Sequence, residues 1–151
     1  MDINEESIDN NLNDVIGGRI VCSFLSDMDA IIESIVSYFG PDNVIIKDYV
    51  SNPKPSGYSS YHILVKVPVY YKGEYVFVNA EIQIRTKAMN MWASFHHKLC
   101  YKKETSLEIE EMLRRWAYKI GEIDSAYDSI YQEVKNDIGM DKPKCLSKVK
   151  S

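Results

Sequence analysis

The chain has 151 residues, 45% hydrophobic and 26% charged, with a net charge of −4. That length suits one domain with a real core, and the balance is that of an ordinary globular protein. Bulk negative charge argues against DNA or a membrane surface as partner, so any phosphate binding must come from a local cluster of cations.

Residues 1–13 are polar and acidic, with no apolar signal-peptide region, and read as a flexible lead-in. No run approaches the roughly 20 apolar residues that span a bilayer. The three cysteines, Cys22, Cys100 and Cys145, are odd in number and lack metal-ligand spacing. Reduced thiols in a cytoplasmic protein are expected.

Residues 19–24 form a short apolar run that predicts a buried strand. Gly17-Gly18 before it allows close backbone approach or an unusual turn. Ser26 reads as a helix N-cap, with Asp27 and Asp29 in the first turn. Ile31, Ile32, Ile35 and Phe39 share one helical face, and Gly40-Pro41 ends the helix. Residues 44–50 predict a second strand.

Residues 47–62 then carry two prolines and a glycine, a composition that makes a rigid loop. The loop presents Lys47, Lys54, Tyr58 and His62. It suits a phosphorylated ligand with a flat base; an ordinary Pro/Gly turn is the alternative. Residues 61–71 and 74–85 form a β-hairpin around Lys72-Gly73. On its second strand Val76, Val78, Ala80, Ile82 and Ile84 face the core. Phe77, Asn79, Glu81, Gln83 and Arg85 face the other way. On the first strand Ile63, Val65 and Val67 face the core, and Pro68 implies an edge or a bulge.

Thr86 is expected to cap a helix running to about residue 101. Thr105 to Glu108 resembles a capping box that opens a longer helix. On that helix Ile109, Leu113, Trp116, Ile120, Ile123, Tyr127, Ile130 and Val134 form a heptad-like stripe. It packs on the chain's own sheet or forms a subunit interface, the former being expected. The organisation is thus a lead-in (1–13), a core (14–102), a C-terminal helical segment (103–138) and a loose tail (139–151). The fold class is α+β (mixed α/β): a mixed β-sheet covered by helices, with a long C-terminal helix.

Two carboxylates stand out by context. Asp14 precedes the first strand and Glu81 lies on the polar hairpin face. On neighbouring strands they could hold Mg²⁺, which takes one or two carboxylates together with substrate phosphates. A capping aspartate and a solvent-facing glutamate are the plainer readings. Arg19, Lys47, Lys54 and Arg85 fall at strand ends or in the loop and could neutralise a polyphosphate. His96-His97 diverge by about 100° on a helix and do not suit a shared metal.

These signals occur in a fixed order. Asp-x-x-Gly-x-Arg spans 14–19 and Lys-Asp-Tyr-x-x-Asn-Pro-Lys-Pro-x-Gly-Tyr-x-Ser-x-His spans 47–62. Glu-Ile-Gln-Ile-Arg-Thr spans 81–86 and Trp-Ala-Ser-x-x-His-Lys-x-x-Tyr-Lys spans 92–102. The set resembles the RelA/SpoT-type synthetase domain of the (p)ppGpp synthetases, or GTP pyrophosphokinases. With no hydrolase or regulatory segment, the chain looks most like the small alarmone synthetases.

The resemblance implies a nucleotidyltransferase-like sheet and Mg²⁺-dependent transfer of pyrophosphate from ATP to the 3′-hydroxyl of GDP or GTP, the chemistry of the stringent response. By it, Asp14 binds Mg²⁺, and Glu81 is metal ligand or general base beside the 3′-hydroxyl. Lys47, Lys54 and His62 contact the acceptor's phosphates, and Tyr58 stacks on guanine. Gln83 supports the acceptor site, and Arg19 lies on the ATP side. It also implies a homo-oligomer; RNA binding is not indicated.

Some positions depart from the pattern. Ser56 stands where Asn is usual and Ser59 where a larger side chain is, leaving guanine and adenine both open as acceptor bases. Gly18 replaces an apolar residue and His96 a glutamate. The family's N-terminal helical part, with an Arg-x-Lys-x-x-x-Ser-type motif that grips ATP, has no counterpart before Asp14. The acceptor half of the site is therefore expected to be the more complete. A degenerate guanine-nucleotide-binding or oligomerisation module is the alternative reading.

Overall fold

The computed structural model describes residues 16–100 and 105–138. The lead-in, Asp14, Cys145, Tyr101 and Lys102 of the last motif, and the C-terminal tail lie outside the described residues. Strand β1 (Ile16–Cys22) leads to helix α1 (Leu25–Phe39) and a 3₁₀ turn (Pro41–Asn43). Strands β2 (Val44–Asp48), β3 (Tyr61–Tyr71) and β4 (Glu74–Thr86) follow, then helices α2 (Lys87–Cys100) and α3 (Leu107–Ile138). The fold is α+β, as expected.

The sheet order is β1-β4-β3-β2. β1 runs parallel to β4 and the other pairs are antiparallel, so the sheet is mixed. The β3–β4 hairpin is the one expected. Its core face carries Ile63, Val65, Ala80 and Ile84, which cluster with Met28 of α1 and Met89 of α2. The α1 residues Ile31, Ile32, Ile35 and Phe39 pack against that cluster. Beyond Val65 and Ala80 the hairpin outruns both flanking strands. Pro68 falls there, on a locally free edge where its missing N–H costs no ladder bond.

Several boundaries differ from expectation. β1 begins at Ile16, so Gly17 and Gly18 lie within the strand and make no turn. Ser26 sits inside α1 and does not cap it. The Asp27 carboxylate accepts the Phe24 N–H at 3.2 Å, and the Ser26 N–H donates to Asp128 of α3 at 2.9 Å. β2 stops at Asp48 because that carboxylate takes the N–H groups of Val50 and Ser51, both at 2.8 Å, in place of a ladder bond.

Thr86 caps α2 as expected, its hydroxyl accepting the Met89 N–H at 3.1 Å. The same hydroxyl donates to the buried Asp124 of α3. The cap of α3 is Ser106, which accepts the Ile109 N–H at 3.4 Å, and the Thr105 hydroxyl turns to Glu110 instead.

The apolar stripe of α3 does not pack on the chain's own sheet. The helix lies against α1 and α2. It does so through Leu113, Ala117, Ile120, Asp124, Asp128 and Tyr131, which are buried or half-buried. Phe24 stacks on Tyr131 with ring centroids 3.9 Å apart. Ile109, Trp116, Ile123, Tyr127, Ile130 and Val134 are all exposed, at 41–61%. The expected stripe therefore divides: Leu113 and Ile120 turn inward with Ala117, Asp124, Asp128 and Tyr131, and its other members face outward. Cys22 and Cys100 are free thiols.

Candidate active site

The sheet face opposite α1 holds the site. In β4, Glu81, Gln83 and Arg85 alternate with Ala80, Ile82 and Ile84, so the pleat sends all three to this face. Pairing sets Gly17 and Leu64 beside Glu81, and Arg19 and His62 beside Gln83. Lys47 of β2 pairs with His62. Thus β1 brings Arg19, β2 brings Lys47 and β3 brings His62 to one patch. Gly17 leaves open space next to the carboxylate, since a Cβ there would meet nothing within 4 Å.

The 49–60 loop brings in Tyr58. Lys54 N–H donates to the Tyr58 carbonyl at 3.0 Å and Gly57 N–H donates to the Lys54 carbonyl at 2.7 Å. Gly57 has φ 93°, which disfavours any side chain. Its Cα sits so close to α3 that a Cβ would lie 2.5 Å from the Ala117 Cβ. The loop is thereby seated on the helix, with Lys54 above the rings of Tyr49 and Tyr58 at 4.7 and 5.2 Å.

The side chains close a ring. Arg85 Nη2 donates to Tyr58 Oη at 2.7 Å and to Gln83 Oε1 at 2.8 Å. Gln83 Nε2 donates to Glu81 Oε1 at 2.9 Å. Glu81 Oε2 lies 3.1 Å from His62 Nδ1, and His62 Nε2 lies 2.7 Å from Tyr58 Oη. Arg19 touches the rim through a 3.5 Å contact with Gln83 Oε1.

Burial and charge set the ionisation. Burial pushes the His62 pKa down, the Glu81 carboxylate pulls it back up, and nearby Lys54 and Arg85 push it down again. The net direction is down, so His62 is neutral at pH 7. Burial would raise the Glu81 pKa, but the Gln83 hydrogen bond, the contact with His62 and the charge of Lys47 outweigh it. Glu81 is therefore held below the usual carboxylate range and is ionised.

A cavity of about 780 Å³ opens beside the ring, lined by Arg19, Tyr58, Arg85, Trp92, His96 and Lys98 among others. No carboxylate lines it among the described residues, so its field favours an anion. Trp92 and His96 stack in its wall at 4.9 Å.

Every described candidate (Arg19, Lys47, Lys54, Tyr58, His62, Glu81 and Gln83) falls on this face or in the loop over it. Asp14 lies outside the described residues. Arg85 counted earlier only as one cation among four. It is 6% exposed with its Nε unpartnered, and it anchors both arms of the ring. Its alternation with Glu81 and Gln83 was the available signal. Tyr49, whose ring meets His62 edge-on at 5.1 Å, was given no role, although it is a fixed position of the 47–62 motif.

Among the described residues no three His, Cys, Asp or Glu side chains group to hold a metal on their own. Each Glu81 oxygen accepts one hydrogen bond and keeps a second lone pair. One such carboxylate beside a cationic cavity fits Mg²⁺, which takes few protein ligands when substrate phosphates supply the rest.

A four-stranded mixed sheet whose open face carries an ionised carboxylate among cations defines an α+β domain with a polar site on one sheet face. Residues 2–106 match the family described as "Region found in RelA / SpoT proteins", and the chain belongs to that family. It is 40% identical over 101 residues to GTP pyrophosphokinase YwaC of Bacillus subtilis, covering 67% of this chain and 48% of the relative. It is 34% identical over 127 residues to GTP pyrophosphokinase YjbM of the same organism, covering 84% and 59%. The structure resembles small alarmone synthetase 1 from Bacillus subtilis bound to its product pppGpp. The TM-score is 0.76 at 32% identity, covering 87% of this chain and 69% of that one. The chain thus spans roughly half to three fifths of the length of these curated relatives.

Proposed function

We propose that the domain transfers the pyrophosphoryl group of ATP to the 3′-hydroxyl of GDP or GTP. The observation that carries this is an ionised Glu81, fixed between His62 and Gln83 beside an anion-attracting cavity, in a chain of the RelA/SpoT family. The reacting oxygen attacks the β-phosphorus of ATP, the bond from that phosphorus to the α-phosphate oxygen breaks, and AMP leaves. Glu81 accepts the hydrogen bond of the attacking hydroxyl and takes its proton as the new bond forms. Glu81 and Asp14 would hold Mg²⁺, which would supply neutralisation of phosphate charge.

Lys47, Lys54 and Arg19 draw in the polyphosphates, and the Tyr58 ring stacks on the acceptor base, a contact typically worth about 1–3 kcal/mol. At neutral pH a carboxylate with a lowered pKa is a modest base but a ready metal ligand and hydrogen-bond acceptor. Positioning thus accounts for most of the acceleration.

With labelled ATP, GDP or GTP and Mg²⁺, the chain is expected to form a 3′-pyrophosphorylated guanosine nucleotide. Glu81→Gln should cut turnover by about 10²–10⁴-fold with an unchanged circular dichroism spectrum. Undiminished turnover in that variant removes Glu81 from its role. Nucleotide binding with no product from the wild type sinks the transferase reading.

The exposed seam on α3 supports self-association through that helix. No helix among the described residues is long and apolar enough to cross a membrane.

A further inference from the structure

The ring around Glu81 has a direction. Arg85 can only donate, and ionised Glu81 can only accept. Two arms run from the first to the second. One passes through Gln83, whose carbonyl oxygen faces Arg85 at 2.8 Å and whose amide nitrogen faces Glu81 at 2.9 Å. The other passes through Tyr58 and His62 with contacts of 2.7, 2.7 and 3.1 Å. Arg85 donates to the Tyr58 oxygen, and the Tyr58 hydroxyl is free to donate onward to His62 Nε2. Nε2 then carries no proton, and the one proton of a neutral imidazole sits on Nδ1, facing Glu81. The opposite tautomer would aim the Nδ1 lone pair at a carboxylate and strand the phenol proton.

We propose that His62 is a positioning residue, held in its Nδ1–H tautomer by the Tyr58 hydroxyl so that it fixes the Glu81 carboxylate for the reaction. The part played by Glu81 is that of the proposed function; the tautomer is independent of it. The groups facing His62 agree. Glu81 and Arg85 reach it from β4, Lys47 pairs with it from β2, and Lys54, Tyr49 and Tyr58 reach it from the loop. With Nε2 accepting from the phenol, the nitrogen left to carry a proton is the one that faces Glu81.

Tyr58 thereby has two separable roles. Its ring face meets the acceptor base, and its hydroxyl sets the imidazole that holds the carboxylate. A nucleotide that presses on the ring acts on the geometry of Glu81 through two hydrogen bonds.

Tyr58→Phe separates the roles, since it keeps the ring and deletes the hydroxyl. Acceptor KM should change by less than about threefold, while kcat falls by about 10–100-fold, the usual effect of removing a group that orients a functional side chain. Nitrogen-15 NMR of the imidazole should show Nδ1 protonated and Nε2 bare in the wild type, and a tautomer mixture in Tyr58→Phe. His62→Asn, which can still offer an N–H to Glu81, should recover most of the kcat lost in His62→Ala. A wild-type Nε2–H spectrum, an undiminished kcat in Tyr58→Phe, or equal kcat in the Asn and Ala variants overturns the proposal. A wild type without turnover strikes at the proposed reaction, while the tautomer stands or falls on the spectrum.

Discussion

His62 couples the site to pH. Its folded pKa lies below the ordinary value of 6.5. As pH falls through about 6.5, the unfolded chain binds a proton that the folded chain refuses, so stability drops toward the folded pKa. Glu81 and Asp48 also have lowered values, but from ordinary values of 4.5 and 3.8, so their losses fall in a more acidic window. Burial pushes Asp124 the other way, equally in any pair of variants that keep it. Urea denaturation between pH 7 and 5.5 should therefore show a shallower pH slope for His62→Gln than for the wild type. Equal slopes would mean that folding leaves the proton affinity of His62 unchanged. Glu81, Gln83 and Arg85 were readable as one face because strand alternation is fixed by the backbone. The ring they form with His62 and Tyr58 was not. It depends on the β3–β4 register, which sets His62 against Gln83, and no local pattern states that register.

The 49–60 loop shows how an element gains its shape from a neighbour. Its prolines and glycine announced rigidity, but its seat on α3 comes from Gly57 against Ala117, positions distant in sequence. Gly57→Ala adds a methyl at φ 93° and 2.5 Å from another, so strain and overlap combine. The expected loss is about 2–4 kcal/mol of stability, with weakened nucleotide binding as Tyr58 is displaced. Ala117→Gly in the same chain should restore the overlap part and leave the φ part, as thermal melts of the single and double variants would show. No recovery in the double variant would mean that backbone strain alone decides. Strands and the hairpin were legible because alternation and a Lys-Gly turn are local. The α1 start was not, since Ser26 is drawn off to Asp128 and Gln132 of a helix some hundred residues on.

At the scale of the whole molecule, α3 presents two rows. One packs on α1 and α2, and the other leaves Trp116, Ile123, Tyr127 and Ile130 in the open. The heptad spacing was plain in the sequence, but spacing alone does not say which of two adjacent rows turns inward. Replacing Ile123 and Ile130 together by Glu should convert the proposed oligomer to monomer in light scattering, with the helix content unchanged. An unaltered mass would place the interface elsewhere. The hydrogen-bond ring carries one more consequence, for the order of folding. Tyr58 and Arg85 are 27 positions apart, whereas Arg19 must find Gln83 across 64. Short closures cost less chain entropy and form sooner. The hairpin and its loop can therefore assemble the grip on Glu81 first, and the parallel strand that brings Arg19 docks onto a carboxylate already aimed.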